Sequence, residues 1–160
     1  GGAALAFAHV SPDGDQGFPG ALRARVRYAL TGDGALSLRY EAETDRPTVV
    51  NLTNHTYFNL AGAGGDVLDH VVTIAADRFT PLDAALIPTG ELRPVAGTPF
   101  DFRAPARVGA RVDEPGDEQL RFAGGYDHNF VLRPPPPGGQ ALRLAARVEE
   151  PARGLSMEVW

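Results

Sequence analysis

The sequence predicts an all-β protein, an antiparallel β-sandwich of many short strands. Two observations carry that prediction: apolar and polar residues alternate with a period of two along several segments, and Gly (19) and Pro (14) crowd the stretches between them. A third is negative, since no segment sustains a helical period. With 43% hydrophobic residues in 160, one domain can bury about 70% of its unfolded surface in a packed core.

The clearest element is Leu22-Arg23-Ala24-Arg25-Val26-Arg27-Tyr28-Ala29-Leu30, where the even positions are apolar and three of the four odd ones are Arg. That is a strand with one wet face. Thr31-Gly32-Asp33-Gly34 then offers turn residues, and Leu36, Leu38, Tyr40 and Ala42 alternate with Ser37, Arg39, Glu41 and Glu43. The pair reads as a hairpin. Further strands are expected over Thr48–Thr53, His70–Ala75, Asn129–Leu132, Ala141–Val148 and Leu155–Trp160, with His9 a strand residue. Short helical turns fit near Arg107–Arg111 and Asp117–Leu120, and Pro134–Pro137 with Gly138-Gly139 reads as an exposed connector. The alternation still runs at Trp160, and a strand stopped there would leave an unpaired edge. We therefore expect residues 1–160 to be the central part of one larger domain.

Composition narrows the chemistry. Cys is absent, which removes thiolate nucleophiles, disulfides and cysteine-ligated zinc. All 15 cationic residues are Arg, so Schiff-base lysine chemistry is excluded within this chain. The three serines, Ser11, Ser37 and Ser156, lie in no nucleophile-elbow setting. Four His and the carboxylates remain for proton transfer. No two His have metal-binding spacing, so no metal site is expected. The net charge of −5 with scattered Arg predicts no nucleic-acid partner, and no apolar run is long enough to predict a membrane one. We expect a cytoplasmic location.

Asn51-Leu52-Thr53-Asn54-His55-Thr56-Tyr57-Phe58-Asn59-Leu60 is the sharpest segment. Alternation would put Asn51, Thr53, His55 and Tyr57 on one face, a mixture of donors, acceptors and aromatic surface suited to a polyhydroxylated ligand. Spacing alone favours the blander reading, a core histidine satisfied by Asn54 or Asn59.

This segment closely resembles the signature of the aldose 1-epimerase family. The resemblance continues, in the family's order, through Leu68-Asp69-His70, Ala76–Asp83, Leu86–Glu91, Val95–Phe102 and Gly125–Leu132, and upstream through Ser11–Gly20. It implies an antiparallel β-sandwich of the galactose mutarotase-like supersandwich type, here in part. It also implies an isomerase that interconverts α and β anomers of aldohexoses such as galactose and glucose, with a small sugar as partner and no metal or organic cofactor. The family's general acid maps to His55, its neighbour in the sugar pocket to Tyr57, and its sugar-holding aspartate to Asp127. We add Asn54 as an expected sugar contact.

Mutarotation removes the proton of the anomeric hydroxyl and protonates the ring oxygen; rotation about C1–C2 and the reverse steps then close the ring on the other face. One base and one acid must act on opposite sides of C1. Histidine can give and retake a proton near neutral pH, which suits the acid. The family's glutamate base maps downstream of Trp160, and its second histidine and substrate-binding arginine map upstream of Ser11. None of Glu41, Glu91, Glu114 or Glu158 falls at the base position, so the chain alone is expected to be a weak catalyst. Two other readings stay open. A hexose-6-phosphate 1-epimerase would want clustered Arg near His55, and a non-catalytic carbohydrate-binding β-sandwich would hold sugar without turning it over. A glycoside hydrolase needs a second carboxylate partner for Asp127 and ranks last. His70 and His128 are expected to be structural, and Asp77-Arg78 a surface ion pair.

Overall fold

A computed structural model describes residues 2–135, 138 and 142–160. The chain divides into two compact units, Gly1–Thr56 and Tyr57–Trp160.

The first unit holds a three-stranded antiparallel sheet in the order β1-β2-β3, with β1 at Ala4–Ser11, β2 at Leu22–Leu30 and β3 at Leu36–Thr44. Register follows the alternation. Leu5, Tyr28 and Leu38 stand in one cross-strand row, and Phe7, Val26 and Tyr40 in another, so the apolar side chains share a face. On the opposite face Arg23 lies across from Glu43 and Arg25 from Glu41, pairings worth about 0.2–1 kcal/mol each. The β2–β3 turn closes through the Thr31 N–H to the Ala35 carbonyl at 2.8 Å, with Gly34 at φ 84°. The loop between β1 and β2 folds on its own carboxylates. The Ser11 hydroxyl donates to Asp15 (2.6 Å), the Gly20 N–H to Asp13 (2.7 Å), and Arg46 pairs with Asp13 at 3.3 Å.

Residues 48–53 form no strand. Alternation says which side chains would share a face, but a strand also needs a neighbouring backbone to complete its ladder, and β3 already has β2 on one side and ends at Thr44.

The second unit holds two antiparallel sheets. One is ordered β10-β9-β4-β7, from β10 (Leu155–Val159), β9 (Ala146–Glu150), β4 (Val71–Ile74) and β7 (Ala106–Arg107). The other is β6-β5-β8, from β6 (Arg93–Pro94), β5 (Ala76–Phe79) and β8 (Phe130–Leu132). Consecutive β4 and β5 thus belong to different sheets, with Ala75 between them. The strand expected over Ala141–Val148 starts later, at Ala146, and runs two residues further. Ala141 and part of the proline-rich connector (Pro136, Pro137, Gly139) lie outside the described residues. The Glu150 carboxylate is buried because it accepts the Ala152 and Arg153 N–H groups (3.2 and 2.7 Å) of the β9–β10 turn.

A helix, α1 (Glu118–Ala123), fills the position where a helical turn was expected. Asp117 caps it by accepting from the Gln119 and Leu120 N–H groups at 2.9 and 3.0 Å. Gly124 ends it in the left-handed region at φ 67°, a conformation that leaves the Gly125 N–H to bond the Leu120 carbonyl at 3.0 Å. The other expected turn is a 3₁₀ turn at Val108–Ala110. Phe79 and Phe100 stack 4.4 Å apart and 13° from parallel at the core, enclosed by Val95 and Leu120, with Tyr126 and Phe130 packed on them.

The Asp77-Arg78 ion pair does not form. Asp77 is the extra residue of a β-bulge, since Ala76 faces Leu132 and Arg78 faces Val131, and the two side chains find separate partners. Asp77 instead takes a two-pronged contact from Arg133 (2.9 and 3.1 Å), and Arg78 donates to the Leu92 carbonyl at 3.2 Å.

Candidate active site

His55 lies in the first unit, in a stretch that is neither helix nor strand, and its side chain is exposed. The described residues do not enclose it. The backbone around it is tied locally by Asn54. The Asn54 side-chain oxygen Oδ1 accepts the Thr56 N–H at 3.2 Å, a turn that spans His55, and the Asn54 side-chain amide Nδ2 donates to the Tyr28 hydroxyl of β2 at 3.2 Å. One of the two N–H donors of Asn54 is therefore committed to the sheet. Asn59 is committed as well: its amide donates to the Gly65 carbonyl (2.8 Å) and accepts from the Ala61 N–H (2.9 Å).

Tyr57 and Asp127 belong to the second unit, and both are exposed, Tyr57 at 88%. The segment after Tyr57 is anchored by His70. That ring is 3% exposed, and its Nε2 accepts the Leu60 N–H at 3.0 Å, which fixes the proton on Nδ1. His9 sits in β1, as expected.

Asp127 stands between anchored neighbours. On one side the Tyr126 ring packs edge-on to Phe100 (5.4 Å) and Phe102 (5.1 Å), and its hydroxyl donates to the Pro99 carbonyl at 3.2 Å. Burial raises the Tyr126 phenol, while the Arg111 guanidinium opposes that shift. On the other side His128 is buried, with its Nε2 3.2 Å from Gln119 Oε1, and beyond it the Asn129 carbonyl accepts the Thr80 N–H at 3.0 Å. Gln119 itself is 2% exposed and spans from α1 to Leu82, accepting its N–H at 2.6 Å and donating to its carbonyl at 3.0 Å. Sequence reasoning missed Gln119. The available signal was a polar residue beside Leu120, two positions after a helix-capping Asp.

Burial holds the His128 imidazole below its ordinary pKa; Asp127 and Asp117 pull it up and Arg93 pushes it further down. The sign follows directly. In the unfolded chain this histidine takes up its proton near pH 6.5, whereas the folded state resists until a lower pH. Its contribution to stability is complete above about pH 6.5 and falls away as the pH drops toward the folded-state pKa. Urea midpoints measured from pH 7 to pH 5 should therefore decline, and His128→Phe should flatten that decline. An identical slope in the two proteins would contradict the assignment.

Among the described residues no cluster of three or more His, Cys, Asp or Glu is placed to hold a metal, and no helix is long and apolar enough to cross a membrane.

The model of a protein family described as aldose 1-epimerase matches residues 3–160. The chain is 46% identical over 155 residues to galactose mutarotase of Bos taurus, covering 96% of this chain and 42% of that protein. It is 43% identical over 154 residues to aldose 1-epimerase of Escherichia coli K12, covering 96% and 43%. Among solved structures, galactose 1-epimerase from Lactobacillus acidophilus superposes with a TM-score of 0.79 at 34% identity, over 93% of this chain and 42% of that one. An aldose epimerase homologue from C. elegans superposes at 0.77 with 26% identity, over 97% and 44%. The chain thus spans well under half the length of the relatives it matches, and these likenesses agree with the all-β, antiparallel architecture.

Proposed function

The chain belongs to the aldose 1-epimerase family, and from that premise we propose that the whole protein interconverts the α and β anomers of aldohexoses such as galactose by opening and closing the pyranose ring. His55 is the general acid that protonates the ring oxygen on opening and retakes the proton on closure. Asp127, Tyr57 and Asn54 hold the sugar. The observation that carries this reading is the placement of His55: an exposed imidazole in the middle of Asn51–Leu60, with the peptide after it fixed by Asn54.

An exposed imidazole on a constrained backbone can approach a ligand without first being uncovered, and histidine is a side chain suited to giving and retaking a proton. An anionic Asp127 accepts hydrogen bonds from sugar hydroxyls, the stronger class of such bonds.

The test is polarimetry on freshly dissolved α-galactose with the whole protein. The proposal expects faster approach to the equilibrium rotation than buffer alone gives, with no product besides the two anomers. Sugar binding without acceleration would identify a carbohydrate-binding module instead.

A further inference from the structure

We propose that the hydrogen bond from His128 to Gln119 is the positioning device for Asp127, fixing the 126–129 segment on the core so that the carboxylate is presented to the sugar. The inference rests on Asp127 being a sugar-holding residue and adds what holds Asp127 in turn.

Gln119 sits at the centre of the arrangement. Its amide could in principle be turned either way, but the Leu82 peptide decides the matter: the N–H of Leu82 needs an acceptor and its carbonyl needs a donor, and Gln119 meets both at 2.6 and 3.0 Å. The oxygen of Gln119 is therefore the atom facing His128, and at 3.2 Å it can only accept. His128 consequently carries its proton on Nε2.

The ring is held from its sides as well, edge-on to Phe79 at 5.6 Å and to Phe100 at 4.5 Å. Its other nitrogen, Nδ1, is buried without a hydrogen-bond partner. A buried polar atom left unpaired is a cost that a phenylalanine in the same aromatic nest would not carry. What the imidazole supplies in exchange is one directional bond, and that bond ties the residue next to Asp127 to α1 and, through Gln119, to Leu82. Three segments distant in sequence meet in one amide. His128 is buried while Asp127 beside it is exposed, so the anchor and the presented carboxylate are chain neighbours on opposite sides of the surface. The Tyr126 hydroxyl on Pro99 and the Asn129 carbonyl on Thr80 hold the two flanks.

His128 is thus a positioning residue, and a double-mutant cycle in the whole protein separates that role from simple packing. The readout is KM for galactose, with kcat recorded beside it. His128→Phe should raise KM by roughly three- to tenfold, more than it lowers kcat, and should add almost nothing once Asp127→Ala is present. His128→Gln, which keeps an N–H donor, should recover most of the loss. Equal losses in both backgrounds would overturn the proposal while leaving the role of Asp127 intact. No effect of Asp127→Ala by itself would remove both. Should the phenylalanine protein fail to fold, ¹⁵N NMR of the imidazole in the unmodified protein decides. The Nε2–H tautomer supports the bond, and the Nδ1–H tautomer, which leaves the Gln119 oxygen with the Leu82 N–H alone and no bond to His128, overturns it.

Discussion

A His55→Ala protein is expected to lose about 10²–10⁴-fold in kcat while KM for galactose moves only severalfold. The range is that of one positioned acid, and it corresponds to about 3–5 kcal/mol of barrier. In the proposed role the imidazole acts on the ring oxygen as that oxygen leaves C1 and gathers charge. The interaction is therefore worth much more in the transition state than in the bound sugar, and a loss of that kind appears in kcat. A folding defect would be the competing explanation for lost activity. Among the described residues the His55 side chain is exposed, so its removal opens no cavity there, and the melting temperature separates the two explanations. Surface substitutions of this sort stay within about 0.5 kcal/mol in stability. An unchanged melting temperature beside a collapsed kcat is the expected pair of results.

Asp127→Ala is expected to act on the other parameter. A carboxylate accepting hydrogen bonds from sugar hydroxyls contributes about 1.5–3 kcal/mol for each such bond, since one partner is charged. Loss of one bond should lower kcat/KM by roughly ten- to a hundredfold, chiefly through KM, because the hydroxyls concerned are held alike in the ground state and the transition state. Asp127 is exposed while Tyr126, His128 and Asn129 keep their own anchors, so the variant should fold. Calorimetric titration with galactose checks the affinity term directly. An unaltered dissociation constant would mean that Asp127 does not hold the sugar.

Much of the sheet structure was legible because alternation and pairing agree. β2 and β3 were readable from the Arg and Glu positions alone, and the register places Arg23 across from Glu43 and Arg25 from Glu41. Residues 48–53 carry a similar signal and form no strand, because pairing is a property of the fold and not of the segment. β6 and β7 escaped notice because at two residues each they show no period, and β5 because a bulge at Asp77 breaks its alternation.

The site was legible in a different way. Spacing alone could not separate a proton-transferring histidine from a core one. Only the resemblance of Asn51–Leu60 to a family signature favoured the proton-transferring reading, which stands as the proposal. What lay beyond reach was the support. Gln119 reaches Leu82, 37 positions away in the chain, and His70 reaches back ten positions to Leu60. Contacts of that kind depend on packing that no local pattern encodes.

The most direct measurement is the polarimetric rate of the full-length protein and its His55→Ala variant side by side, on α-galactose at saturating concentration and neutral pH. The account predicts that the variant binds the sugar, keeps its melting temperature and turns over at least about a hundredfold more slowly. A variant that matches the parent rate would show that the ring oxygen takes its proton from some other group, and the assignment of His55 would fall.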